Sequence, residues 1–170
     1  MFIFNATPLI YLAKVDALNL VDHREEHCVI PKSVYVEVVE AGIEAGYTDA
    51  RRVEAAVEAD TFDVVSIEEK PLRAKLTDSP NLSDADAAVL ACTANRDGVA
   101  VMDETAGRDA ASVEEITTRG TAYLVLSLVR QGTIIAEEAP TVIDTMVEEG
   151  WYCSTDMYAR ILAKLDSLGD

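Results

Sequence analysis

The stretch FIFNATPLIYLAK, residues 2–14, reads as a short apolar strand that delivers one polar side chain, Asn5, to the mouth of a helix. An unbroken apolar triplet, Phe2 to Phe4, suits a strand buried on both faces. Thr7 is placed to cap the helix, with Pro8 in its first position, where the missing N–H costs nothing. Leu9, Ile10, Leu12 and Ala13 supply the helix with an apolar face. Leu18, Leu20 and Val21 extend that face after a break.

The same grammar recurs along the chain. Cys28, Val29 and Ile30 form a second short strand ended by Pro31, and the next helix turns Val34, Val38 and Val39 inward with Glu37 one step off that stripe. Thr48 to Ala59 is a charged amphipathic helix, Phe62 to Ile67 a strand, Glu69 to Leu76 a short helix and Thr77 to Leu82 a loop. Ser83 opens a helix that runs to about Asn95, and Gly98 turns into a strand, Val99 to Met102, that stops at Asp103. A helix from about Glu104 to Ala111, a strand from Glu115 to Thr118, and helices over Thr121–Arg130, Ala139–Glu149 and Asp156–Leu168 complete the reading. Strands alternating with helices predict an α/β fold: a three-layer α/β/α sandwich around a central, mostly parallel sheet. At 170 residues, with no internal repeat, low-complexity stretch or linker, the expectation is a single domain over 1–170.

The net charge is −17, from 31 acidic and 14 basic residues. The acids are dispersed, with no acidic tail, and lysine is rare. Such a surface repels itself at ordinary ionic strength, whereas at molar salt the screening length falls to about 3 Å. A salt-loaded cytoplasm is the economical source of such a surface; an acidic face for a basic partner is the alternative, and the dispersion argues against one patch. A basic nucleic-acid footprint is missing. That is weak evidence against nucleic acid, because counterion release contributes little at high salt. No apolar run approaches the ~20 residues of a membrane span. No basic region leads a signal-length apolar stretch, so a cytoplasmic protein is expected. Cys28, Cys92 and Cys153 are odd in number, far apart and set among apolar neighbours, as reduced core thiols would be. His23 and His27 beside Cys28 hint at a metal, but no fourth ligand is evident.

Polar residues collect where strands end or helices begin: Asn5, Glu37, Asp86 with Asp84 beside it, and Asp103 followed by Glu104. In an open α/β sheet the crevice beyond the carboxyl ends of the strands is where sites form. Carboxylates converging there repel one another unless cations neutralise them, and oxygen-only ligands suit Mg²⁺ or Mn²⁺. Such ions activate water and stabilise phosphoryl transfer. Each residue also has a plain structural reading. Ser83 to Asp86 resembles a capping box, Asp103 can cap the helix after it, and Glu37 is one more acid on an acidic chain. Trp151 and Tyr152, after Gly150, read as anchors of a packed corner.

The chain resembles a PIN domain, the fold of many VapC-type toxins and other RNA-cleaving enzymes. The resemblance rests on four motifs in order and runs nearly end to end. FNATPLIYLAK resembles the opening strand-Asp-x-Ser/Thr-x-x-Leu-x-x-Leu, IPKSVYVEVVEAG the second motif, and LSDADAAVLACTA the acid that opens an Ala-rich helix. VAVMDETAGRDAA resembles the fourth motif in the Asp-Asp-x-x-x-Arg form of one archaeal and bacterial VapC-like branch, whose Gly-Thr-led helix GTAYLVLSLVRQGTI also resembles.

The resemblance implies a Mg²⁺- or Mn²⁺-dependent endoribonuclease, usually a homodimer and often neutralised by a small antitoxin. Its acidic quartet falls on Asn5, Glu37, Asp86 and Asp103, with Glu104 competing for the last place. Thr7 would support the first position, and Arg108 would orient an acid or touch phosphate. The helices over Thr48–Ala59 and Glu69–Leu76 are candidates for dimer or antitoxin contacts.

Where the family has Asp, this chain has Asn5, which offers one carbonyl oxygen and no charge. Either the enzyme works with Glu104 or Asp84 making up the charge, or it binds metal weakly, or it is a degenerate relative that binds RNA or a protein without cutting. A different α/β fold, with the acids serving only as caps and salt-adapted surface, is the remaining reading.

Overall fold

The computed structural model describes residues 1–21, 26–68 and 70–169. Five strands form one parallel sheet: β1 (Phe2–Phe4), β2 (Cys28–Pro31), β3 (Asp63–Val65), β4 (Val99–Val101) and β5 (Thr118–Arg119), in the order β3-β2-β1-β4-β5. The register pairs Phe4 with Val101 across β1 and β4, and Pro31 with Val65 across β2 and β3. Every strand is short, and β1 and β2 are buried along their whole length.

Helices cover both faces of the sheet. They are α1 (Ala6–Lys14), α2 (Leu18–Val21), α3 (Lys32–Tyr35), α4 (Ala41–Glu44), α5 (Thr48–Glu58), α6 (Pro71–Thr77), α7 (Asp84–Arg96), α8 (Thr105–Val113), α9 (Thr121–Arg130), α10 (Ala139–Glu148) and α11 (Thr155–Gly169). The three-layer sandwich with a parallel central sheet is therefore the architecture. Its core joins the strands to Leu9, Leu12, Leu90, Leu124, Leu128 and Met146, all fully buried. Phe4 meets Phe62 edge to face at 5.1 Å between ring centres, a geometry that favours aromatic pairs. Among the described residues no helix is long and apolar enough to cross a membrane, and no disulfide links any of the three cysteines.

Several boundaries differ from the sequence reading. Helix α1 starts at Ala6 with Asn5 as its N-cap, not at Pro8 with Thr7 as cap. Pro8 still lies in the first turn, where no intrahelical partner is lost. β3 ends at Val65, because Phe62 is buried against Phe4 and Ser66 leaves the ladder. β5 is Thr118–Arg119, because Glu115 takes a left-handed conformation (φ 57°) that closes the preceding helix. The helix expected from Glu69 runs over Pro71–Thr77; Glu69 and His23 lie outside the described residues. His27 pairs with Asp63 at 2.9 Å.

Between α3 and α4 the backbone makes a π turn over Val36–Glu40, with the Ala41 N–H bonded to the Val36 carbonyl five residues back. The extra residue lets Val34, Val38 and Val39 stay inward while Glu37 projects outward. Such turns concentrate at functional sites.

Candidate metal centre at the carboxyl edge of the sheet

Asn5 is the first residue beyond β1, and its backbone N–H donates to the Val101 carbonyl of β4 at 2.9 Å. Its side chain is 2% exposed. The Oδ1 atom accepts from the Ala6 N–H at 2.9 Å and so caps α1. The amide nitrogen donates to Asp86 Oδ1 at 2.7 Å and to Glu104 Oε2 at 3.4 Å. A flipped amide would turn its oxygen on two carboxylates and its NH₂ on a backbone N–H, so the three partners fix the orientation.

Asp86 reaches this point from the first turn of α7. Its Oδ2 accepts from the Ser83 N–H at 3.1 Å while Ser83 Oγ accepts from the Asp86 N–H at 3.0 Å, a complete capping box. The capping role engages Oδ2 and leaves Oδ1 to accept from Asn5. Glu104 is fixed by the Thr7 hydroxyl, which donates to its Oε1. Glu37 joins the cluster electrostatically. Although it keeps contact with solvent, partial burial raises its pKa first, and the charges of Asp86 and Glu104 raise it further. Two carboxylates thus accept from one neutral amide, and a third, Glu37, stands near enough to feel their charge.

Of the two adjacent acids at residues 103 and 104, only Glu104 faces Asn5. Asp103 points the other way. Its Oδ1 accepts from the Thr121 N–H at 2.7 Å, and its Oδ2 accepts from the Thr121 hydroxyl at 2.7 Å and the Trp151 indole N–H at 3.0 Å. It thereby fixes the start of α9 and the Trp151 corner. A Cβ at Gly120 would stand 2.9 Å from Asp103 Oδ1, so this close approach needs glycine. Asp84 is drawn aside by Arg73, with Nη2 to Oδ1 at 2.6 Å. Arg108 is exposed and donates to the Met102 carbonyl at 3.3 Å. Trp151 is the buried corner anchor the sequence suggested, but Tyr152 is 86% exposed. Thr7, Tyr11, Glu104, Arg108, Trp151 and Tyr152 line a groove of about 730 Å³ that opens beside the cluster.

As they stand, no three acidic, histidine or cysteine side chains among the described residues are placed to enclose an ion. The donor chemistry is nonetheless that of a hard-cation site: carboxylate oxygens from Glu37, Asp86 and Glu104, and one amide oxygen from Asn5. To use that oxygen, Asn5 must rotate and give up its three hydrogen bonds.

The sandwich is built on a parallel sheet, and Asp86 and Glu104 meet at Asn5 just beyond β1. Residues 1–167 match a family model described as a PIN domain (DUF3368), and the chain belongs to that family. PIN domains generally depend on divalent metal, and the fold suggests nucleic-acid binding. No curated protein and no solved structure gives a significant match.

Proposed function

We propose that the protein is a divalent-metal-dependent endoribonuclease with a weakened acidic site. The observation that supports this most directly is the meeting of Asp86 and Glu104 at Asn5, with Glu37 close enough for their charges to act on it. Uncompensated carboxylates at the carboxyl edge of a parallel sheet attract a divalent cation and a phosphodiester neutralised by it. Asp86, Glu104 and Glu37 would hold Mg²⁺ or Mn²⁺, with Asn5 as a neutral ligand or an acceptor beyond it. A bound ion supplies charge neutralisation and an activated water for hydrolysis. Thr7 orients Glu104 and Arg108 stands where it can meet phosphate, while Asp103 holds the wall of the groove. The resemblance extends the reading to a VapC-type toxin, cytoplasmic and homodimeric, with a small antitoxin partner. The dispersed negative charge extends it to a salt-rich cytoplasm.

The Asn5–Asp86 hydrogen bond favours a second reading, a PIN-like module that binds RNA or a protein without cleaving. Cleavage of labelled single-stranded RNA in molar KCl with Mn²⁺ separates the two. Activity in the native protein that Asp86→Asn abolishes supports the nuclease. Activity confined to Asn5→Asp supports the non-cleaving module.

A further inference from the structure

One strand over from the acidic cluster, a second pocket has the opposite character. β2 and β3 end side by side at Pro31 and Val65, and the residues that follow, Lys32 and Ser66, both line a cavity of about 220 Å³. Ser33 and Arg73 complete its polar lining, and no acid lines it among the described residues. In a chain with 31 acids and 14 bases, such a pocket is conspicuous. Arg73 is 8% exposed, and its guanidinium uses two of its donors on Thr77 and Asp84, at 2.8 and 2.6 Å. The others remain for a further acceptor. Lys32 pairs with Glu40 at 2.7 Å, but both side chains are half exposed. Such a pair is worth little and opens readily. The Ser33 hydroxyl is buried with no hydrogen-bond partner, a state that native proteins seldom tolerate without reason.

We propose that this pocket binds a phosphodiester group of the RNA chain. Two cations and an orphan hydroxyl donor form a tetrahedral-oxyanion site. Ser33 lies four residues before Glu37, one turn of about 6 Å along the same helical segment. Ala88, on the pocket wall, shares its face of α7 with Asp84, four residues before it, which holds Arg73. A strand of RNA lying along the carboxyl edge of the sheet would pass from this pocket, beyond β2 and β3, towards the acids beyond β1 and β4. The pocket deepens the nuclease reading and rests on it for the identity of the polyanion. It also places a local basic foothold on a surface whose net charge opposes RNA.

The test is binding of a fluorescent single-stranded RNA to the full chain in EDTA, where metal-dependent cleavage cannot contribute. Thermal unfolding of the free proteins is followed in parallel. A buried unsatisfied hydroxyl destabilises the free protein, so Ser33→Ala is expected to raise Tm by about 2–4 °C. The same change is expected to weaken RNA binding about tenfold, since a hydrogen bond to a charged group is lost. Lys32→Ala should lower affinity and reduce the salt slope by about one phosphate contact. Ser127→Ala, which removes the other buried hydroxyl without a partner, should leave RNA affinity unchanged. If Ser33→Ala stabilises the protein and RNA affinity holds, the hydroxyl is a packing defect and the proposal is overturned. If inorganic phosphate protects the native protein while neither substitution alters RNA binding, the pocket takes free anions and the RNA assignment is wrong. If an acidic peptide competes as well as RNA, the partner is a protein and the assignment is equally wrong. Native protein that binds RNA through this pocket in EDTA and fails to cleave it when Mn²⁺ is added would count against the nuclease reading alone.

Discussion

The amide nitrogen of Asn5 lies 2.7 Å from Asp86 Oδ1 and does by hydrogen bonding part of what a cation would do by charge. It gives a carboxylate a positive partner in a site with 2% of the side chain exposed. Replacing that donor with an acceptor should therefore have opposite consequences with and without metal.

In EDTA, Asn5→Asp is expected to lose about 1.5–3 kcal/mol, the value of a hydrogen bond to a charged group. That corresponds to a Tm lower by roughly 3–10 °C. Added Mn²⁺ should raise the Tm of Asn5→Asp by more than it raises the native value. Equal Mn²⁺ shifts in the two proteins would show that position 5 does not limit metal binding.

The raised pKa of Glu37 gives a pH test with a definite sign. A carboxyl whose pKa is higher in the folded protein binds its proton more tightly there. Its contribution is therefore favourable below the ordinary glutamate value of about 4.3 and is lost as the pH rises. At neutral pH in EDTA, the native protein carries the cost of partly burying the Glu37 charge and, beyond it, the repulsion from Asp86 and Glu104. Glu37→Gln should melt higher than native at pH 7, with the advantage vanishing towards pH 4. An offset that stays constant across that range would mean that the cost of the Glu37 charge is not what the substitution relieves.

Asp103 and Glu104 are adjacent but should respond to very different extents. Asp103→Asn sets an NH₂ group among three donors, two on Thr121 and one on Trp151. A loss of about 2–4 kcal/mol in urea unfolding is expected. The chain has one tryptophan, so its emission reports the loosened corner directly. Glu104→Gln removes one charge from a repelling cluster and should change stability by less than about 1 kcal/mol. The reverse ranking would show that Asp103 is not the residue that holds the corner.

Gly120→Ala tests the same corner from its other side. The added methyl would lie 2.9 Å from Asp103 Oδ1 and 3.3 Å from Arg108 Nη1. Because three hydrogen bonds pin Asp103, the contact cannot relax cheaply, and a cost of about 1–3 kcal/mol is expected. Combined with Asp103→Asn, the effect should fall short of the sum, since both act on one contact.

The fold is largely legible because β1 and β4 announce themselves as apolar runs closed by a polar residue and β2 as one closed by Pro31. The Ser83–Asp86 box was readable from spacing alone. What escaped the sequence depends on distant partners. Successive residues leaving a strand point to opposite sides, so one of the pair at 103 and 104 had to turn away from Asn5. Which one was decided by Thr121 and Trp151, 18 and 48 residues further on from Asp103. The start of α1 was misplaced because Asn5 serves as cap and site residue together. The π turn at Val36–Glu40 leaves no mark in a stripe of valines. Lys32, Ser33, Ser66 and Arg73 are unremarkable singly, and only the parallel register brings two strand ends together around a pocket.

Both outer strands of the sheet are short: β3 has three residues and β5 has two. A foreign chain seeking to add a strand finds almost no ladder to join. In dilute buffer, the charge of −17 would keep molecules apart anyway. In molar salt that repulsion is screened within about 3 Å. There the clipped edges guard against fibre-like aggregation on their own, leaving helical faces as the surface through which copies can meet.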